Sequence, residues 1–244
     1  MTDGLLLLHA WPVDARMWEP QLAALPDGLA VAAPDLPGFG GSEPAGNVLT
    51  MGAAAERALE ALGERGIDRA VVCGLSMGGY VALEIMRRAP ERVAKLALLD
   101  TNGRDDSPEA QQKRRANIAL AESGRFDQVI EDVWPALVHP DRRADAALKQ
   151  IHVAMCNDVG PQAYVRQQKA ILTRADSRPL LPSIRCPALV LVGAEDELTP
   201  PFLSEEIAAG ISGARLVKVP QCGHLSTLER PDAVNKALVE WMSL

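Results

Sequence analysis

Six short apolar runs, several built almost wholly of Val, Leu and Ala with no polar alternation, set the strongest limit on what this chain can fold into. They span residues 5–9, 29–33, 70–74, 93–100, 188–193 and 215–220. A strand with one face in water alternates apolar and polar residues. One without alternation is buried on both faces, the mark of a parallel sheet. Helical patterns fall between the runs, at 51–65, 77–89, 201–210 and 232–242. Strand, helix, strand in that order predicts an α/β architecture, a mostly parallel sheet of about six strands with helices on both faces. At 244 residues the chain has room for one large domain, or one domain carrying an insertion. Its core needs no disulfide or metal staples.

The alternation stops between Asn102 and about Pro179. Ser107-Pro108-Glu109 reads as an N-cap, a first-turn proline and an acidic first turn, and Gly124 as a stop. Phe126, Val129, Ile130, Val133 and Trp134 form one helical stripe, and Leu148, Ile151 and Met155 another. Pro161 opens a last helix carrying Tyr164, Val165, Gln168, Ile171 and Leu172. The predicted organisation is a core of residues 1–102 and 180–244, with residues 103–179 as a helical cap, or lid. The insertion is electrostatically distinct: residues 104–178 hold twelve Lys/Arg and eleven Asp/Glu, while the whole chain carries −7. Its cations sit on solvated helix faces, or they favour an anionic group at a pocket mouth.

The acidic balance excludes a nucleic-acid partner, which needs a basic face. Cys73, Cys156, Cys186 and Cys222 are scattered, without Cys-x-x-Cys pairs or metal spacing with histidine. They read as small core residues in a reducing compartment. The N-terminal residues lack a basic leader, and Leu5-Leu6-Leu7-Leu8 is too short for a signal or membrane segment. The expectation is a cytoplasmic protein without membrane contact, metal or organic cofactor, as a monomer or small homo-oligomer.

One stretch carries the chemistry. In Gly74-Leu75-Ser76-Met77-Gly78-Gly79 a strand ends and a helix begins within a few residues. Such a turn forces the residue at its tip into an uncommon backbone conformation. Flanking glycines remove side chains that would collide with the neighbouring strand and helix, and the serine oxygen is lifted clear. Ser76 then sits at a helix N-terminus, where free N–H groups favour negative charge. The N–H of Met77 points to where an oxyanion forms.

A serine hydroxyl needs a base, and the base an orienting acid. His224 follows the last strand and precedes the last helix, at the same sheet edge as Ser76. His9 lies inside an apolar run and reads as structural, His139 as surface. His152 sits beside a lid stripe, either packed there or facing the pocket. For the acid, Asp196 follows the turn made by Gly193 and Ala194, with Glu195 and Glu197 as solvated neighbours; Asp100, ending another strand, is the alternative. The order Ser76, Asp196, His224 is the one an elbow in an open α/β sheet uses. The loop after the first strand offers a second oxyanion donor, the N–H of Trp11, whose side chain packs or walls the acyl pocket. Phe126, Trp134 and Tyr164 on the lid helices are expected to shape that pocket.

At these residues the chain resembles the α/β-hydrolase superfamily, and the resemblance covers nearly its whole length. His9-Ala10-Trp11-Pro12 is similar to the His-Gly-x-Pro oxyanion loop, with Ala10 in place of Gly. Asp35 to Ser42 resembles the Asp-x-x-Gly-x-Gly-x-Ser turn. Gly74 to Gly78 is the elbow, and Gly193-x-x-Asp196 and Gly223-His224 stand where the acid and base stand. Within the superfamily the chain resembles small single-lid bacterial esterases and lactonases, such as oxoadipate enol-lactonases and the pimeloyl-carrier-protein methyl ester esterase. The Ser-Met-Gly-Gly run is also similar to that of arylesterases and cofactor-free perhydrolases. The resemblance implies a sheet lacking the usual N-terminal hairpin, and hydrolysis of small carboxylic esters. A lactonase or thioesterase reaction, or C–C bond hydrolysis or a lyase step, by the same residues, and a ligand receptor with a vestigial triad, are the rival expectations.

Overall fold

The computed structural model describes residues 3–37 and 49–243. Its first half runs β1 (Asp3–Leu8), α1 (Glu19–Leu22), β2 (Val31–Ala32), α2 (Met51–Glu64), β3 (Arg69–Leu75), α3 (Met77–Arg88) and β4 (Val93–Leu99). Three helices follow, α4 (Pro108–Glu122), α5 (Phe126–Leu137) and α6 (Ala146–Leu172). The chain closes with β5 (Ala188–Gly193), α7 (Pro201–Gly210), β6 (Arg215–Val219), α8 (Ser226–Glu229) and α9 (Pro231–Met242). The strands form one six-stranded sheet in the order β2-β1-β3-β4-β5-β6, and each neighbouring pair is parallel. The second strand is shorter than its apolar run, only Val31 and Ala32 pairing with Leu5 and Leu6. Of the Asp35 to Ser42 turn, Gly38 to Ser42 lie outside the described residues.

Burial on both faces explains the unbroken apolar runs. In β1, Leu6 and Leu8 enter one core cluster with the helices α2 and α3, while Leu5 and Leu7 enter a second with Trp18 and α9. Strand β5 divides likewise, Val190 to the first and Leu189 and Leu191 to the second. The inner strands thus feed two hydrophobic layers, while the edge strand β6 keeps Arg215 and Lys218 exposed.

Between β4 and β5 the helices α4, α5 and α6 pack on one another. Ser107 caps α4, its hydroxyl accepting from the Ala110 N–H at 3.2 Å. Helix α6 is two helices joined at Gly160, whose φ of 73° is left-handed and which Pro161 follows. Four helical segments therefore fill the stretch where strand alternation stops. A buried carboxylate ties the segment to itself and to the sheet. Asp106 accepts from Arg114 Nε at 2.7 Å and pairs with Arg174 at 2.7 Å. The Arg174 guanidinium in turn lies 4.3 Å from the centroid of the Tyr80 ring on α3. Among the described residues, no helix is long and apolar enough to cross a membrane, and no His, Cys, Asp or Glu cluster has the makings of a metal site.

Candidate active site

Among the described residues, three non-glycine residues have positive φ, and all lie at or just beyond the carboxyl ends of strands: Ser76 after β3, Asp100 after β4 and Gln221 after β6. Ser76 adopts φ 53°, ψ −111° and forms the N-cap of α3, its N–H donating to the Leu99 carbonyl at 2.9 Å. The glycines make this turn possible by contact as much as by flexibility. A Cβ on Gly74 would stand 2.2 Å from the Gly78 carbonyl oxygen, and one on Gly78 would stand 2.0 Å from that of Leu8. The end of β1 thus lies against the first turn of α3, which brings the loop holding Trp11 to Ser76. The N–H groups of Trp11 and Met77 make no hydrogen bond within the described residues.

His224 is fully buried, and its Nδ1 lies 2.8 Å from Asp196 Oδ2. A carboxylate on Nδ1 selects the tautomer protonated there and leaves Nε2 with its lone pair. That Nε2 is buried and has no hydrogen-bond partner among the described residues. Asp196 is itself held tightly. Its Oδ1 accepts from the Leu198 and Thr199 N–H groups, both at 2.8 Å, and its Oδ2 accepts from the Thr199 hydroxyl at 2.6 Å. Burial alone would lower the His224 pKa; the charge and hydrogen bond of Asp196 outweigh it and raise it above 6.5.

Asp100, the alternative acid, has other partners. Its Oδ1 accepts from the Gly193 N–H at 2.8 Å and its Oδ2 from the Ser226 hydroxyl, so it joins β4 to β5 and α8. Burial pushes its carboxyl well above the usual range. Glu195 accepts from the Cys222 N–H at 3.1 Å and Glu197 pairs with Arg143 at 2.8 Å. His9 is structural, its Nε2 accepting from the Leu36 N–H at 3.0 Å. His139 is less exposed than a surface residue, its ring Nδ1 accepting from the Asp141 N–H at 3.2 Å. His152 is buried against Trp134 and Cys156, and desolvation lowers its pKa to about 4.

Ser76, Trp11 and Thr199 open onto a cavity of about 310 Å³. Val133, Ala136, Leu137, Ile171, Leu198 and Leu203 give it apolar walls, and Tyr80, Asn102, Lys113, Arg114, Gln168 and Arg174 a polar side. Phe126, Trp134 and Tyr164 are not among its lining. Tyr164 packs between Trp11 and Phe126, with ring centroids 5.1 and 5.0 Å away. Trp134 donates from Nε1 to the Arg143 carbonyl at 2.9 Å. Helical periodicity marks a buried stripe, and these aromatics spend their burial on packing within the helices and against the sheet edge. Sequence reasoning also missed Thr199, Ser226 and Glu229. Glu229 accepts from the Gly223 and His139 N–H groups at 2.9 and 2.7 Å and fixes the loop before His224. Thr199 alone left a local trace, a hydroxyl three residues past an aspartate, the spacing at which a side chain folds back on a turn.

Fold and site together describe an α/β hydrolase. A model of the alpha/beta hydrolase family matches residues 5–237, and the chain belongs to that family. It is 31% identical over 239 residues to a pimeloyl-[acyl-carrier protein] methyl ester esterase of Aromatoleum aromaticum, covering 93% of each protein. Among solved structures it is similar to a thermophilic esterase from Thermogutta terrifontis determined with malate bound. That pair shares 35% identity and a TM-score of 0.93, over 100% of this chain and 91% of the other. The enol-lactonase from Burkholderia xenovorans LB400 aligns with 29% identity and a TM-score of 0.91, over 100% and 92%.

Proposed function

We propose that the protein is a serine hydrolase that cleaves carboxylic esters of small molecules, lactones included, through an acyl-enzyme. The observation that carries this reading is the buried His224, with Nδ1 on Asp196 and Nε2 unpartnered, at the strand edge where Ser76 opens onto the cavity. Ser76 attacks the acyl carbon while His224 Nε2 takes its proton and returns it to the leaving alcohol. Asp196 holds the ring and stabilises the imidazolium. The N–H groups of Trp11 and Met77 stabilise the oxyanion. Water activated by His224 then attacks the acyl carbon and frees Ser76. Residues 103–179 act as a cap that keeps bulk water from the acyl-enzyme. The esterase and lactonase relatives support the ester class, since a lactone is a cyclic ester opened by the same steps.

The test is hydrolysis of p-nitrophenyl acetate, butyrate and octanoate by the wild type and by Ser76→Ala. Turnover by the wild type and a loss on the order of 10³–10⁶ in kcat for the variant are expected. Equal, slow rates for both proteins would refute an acyl-enzyme on Ser76 and favour a ligand-binding role.

A further inference from the structure

We propose that Thr199 is a positioning residue for the base: its hydroxyl bonds Asp196 and meets the His224 ring at the same time, so that it fixes the ring's orientation and moderates the charge Asp196 presents to it. The inference rests on the ester-hydrolase reading and adds a fourth side chain to the three assigned there.

The hydrogen bonds of Asp196 carry it. A carboxylate has about four lone-pair sites, and each one here has a donor. Oδ1 accepts from the N–H groups of Leu198 and Thr199, both at 2.8 Å. Oδ2 accepts from His224 Nδ1 at 2.8 Å and from the Thr199 hydroxyl at 2.6 Å. Among the described residues, Thr199 is the one side chain besides His224 that donates to this carboxylate, and it does so to the oxygen that faces the ring. The hydroxyl proton is thereby committed to Asp196. The lone pairs of Oγ1, 3.2 Å from His224 Nδ1, are left to face the ring N–H. The imidazole is gripped at two points, and rotating it costs both contacts. Thr199 is only 4% exposed, so bulk water does not compete for these bonds.

Charge explains what the hydroxyl adds. Burial disfavours the protonated ring, while three carboxyl groups on three elements favour it: Asp196 after β5, Asp100 after β4 and Glu229 on α8. A base held too firmly in its protonated form is idle at neutral pH. Of the two contacts Thr199 makes, the one to the carboxylate is shorter, charge-assisted and stronger. It draws charge from Oδ2 and so works against the three carboxyl groups. The longer contact with Nδ1 works weakly in their favour. The net effect of the hydroxyl is to keep the protonation midpoint of His224 from rising further.

Thr199→Val removes the hydroxyl and keeps the side chain's shape and both backbone bonds to Oδ1, and Thr199→Ser restores the hydroxyl. With p-nitrophenyl butyrate, Thr199→Val is expected to raise the midpoint of the acid limb of kcat/KM by about half a pH unit. Its kcat on the plateau should fall about tenfold, short of the roughly 10²-fold that a 1 Å misplacement costs, with KM little changed. Thr199→Ala should move the midpoint the same way, and Thr199→Ser should return it toward the wild type. A hydroxyl that only braced the loop would shift the urea midpoint of unfolding and leave the pH midpoint in place. That outcome, or a midpoint that falls, overturns the proposal. Wild-type turnover that Ser76→Ala abolishes keeps the hydrolase reading intact in that event. If the wild type or Thr199→Val turns nothing over, the His224 ring is titrated by NMR in Ser76→Ala and in Ser76→Ala/Thr199→Val, its signal assigned by its loss in Ser76→Ala/His224→Asn. An upward shift on removing the hydroxyl upholds the proposal, and an unchanged titration refutes it.

Discussion

His224 is the residue whose chemistry depends most on its surroundings. Burial opposes its charged form, and Asp196 more than compensates, so its pKa stands above 6.5. A general base works only when neutral, so the role proposed for His224 predicts that activity is lost as pH falls through that raised value. The acid limb of the kcat/KM profile should have its midpoint above 6.5, with about a tenfold loss per pH unit below it. Replacing Asp196 with Asn removes the charge that overrides burial. The midpoint should then fall, and activity should drop by a factor on the order of 10⁴. A pH–rate series on both proteins checks the two effects together. This much of the site was legible in the residues: a serine between glycines, an aspartate past a Gly-Ala turn and a histidine after the last strand. Thr199, which donates to Asp196, left only its spacing three residues past the aspartate, a turn signal that does not say the aspartate faces a histidine.

At the scale of elements, the contact between β1 and α3 decides whether the site assembles. Gly78 lies where a methyl group would stand 2.0 Å from the Leu8 carbonyl oxygen and 2.6 Å from its carbon, both rigid backbone. Gly78→Ala should therefore cost about 3 kcal/mol of stability and displace the loop that holds Trp11. Gly63, near the end of α2, has nothing within 4 Å of its added Cβ, so Gly63→Ala should stabilise by roughly 0.5–1 kcal/mol. Urea unfolding of the two variants separates a glycine needed for close approach from one that merely occupies a helix. Strand ranges were readable because their apolar runs have no alternation, and Pro161 marked the break in α6. Strand β2 shrank from five residues to two since Val31 and Ala32 alone reach β1 in register.

For the whole molecule, the helices between β4 and β5 must be fastened to the sheet for the cavity to exist. Asp106 does much of this, since Arg114 lies on α4, and Arg174 follows α6 and sits over Tyr80 of α3. Burial pushes the Asp106 carboxyl up, yet the two guanidiniums prevail and hold it below 3.8. A lowered carboxylate pKa contributes stability that is present above the unfolded value and is lost as pH falls through the folded one. Asp106→Asn should thus cost about 2 kcal/mol at neutral pH, and the gap to the wild type should close below pH 3.8. Denaturant midpoints measured at pH 7 and in acid read this directly.

What the sequence by itself determined is the set of properties carried by neighbouring residues. Apolar runs without alternation can only be strands buried on both faces, and the small residues around Ser76 can only serve a tight strand-to-helix turn. From these came the parallel sheet, its six strands and the three residues proposed for the triad. The tertiary structure alone decided which side chains face empty space. Phe126, Trp134 and Tyr164 follow the same helical periodicity as Val133, Leu137 and Ile171, yet only the latter three line the cavity. The reason is physical: a 3.6-residue period states that a face is buried, while whether it meets a neighbouring ring or a void depends on how distant helices pack.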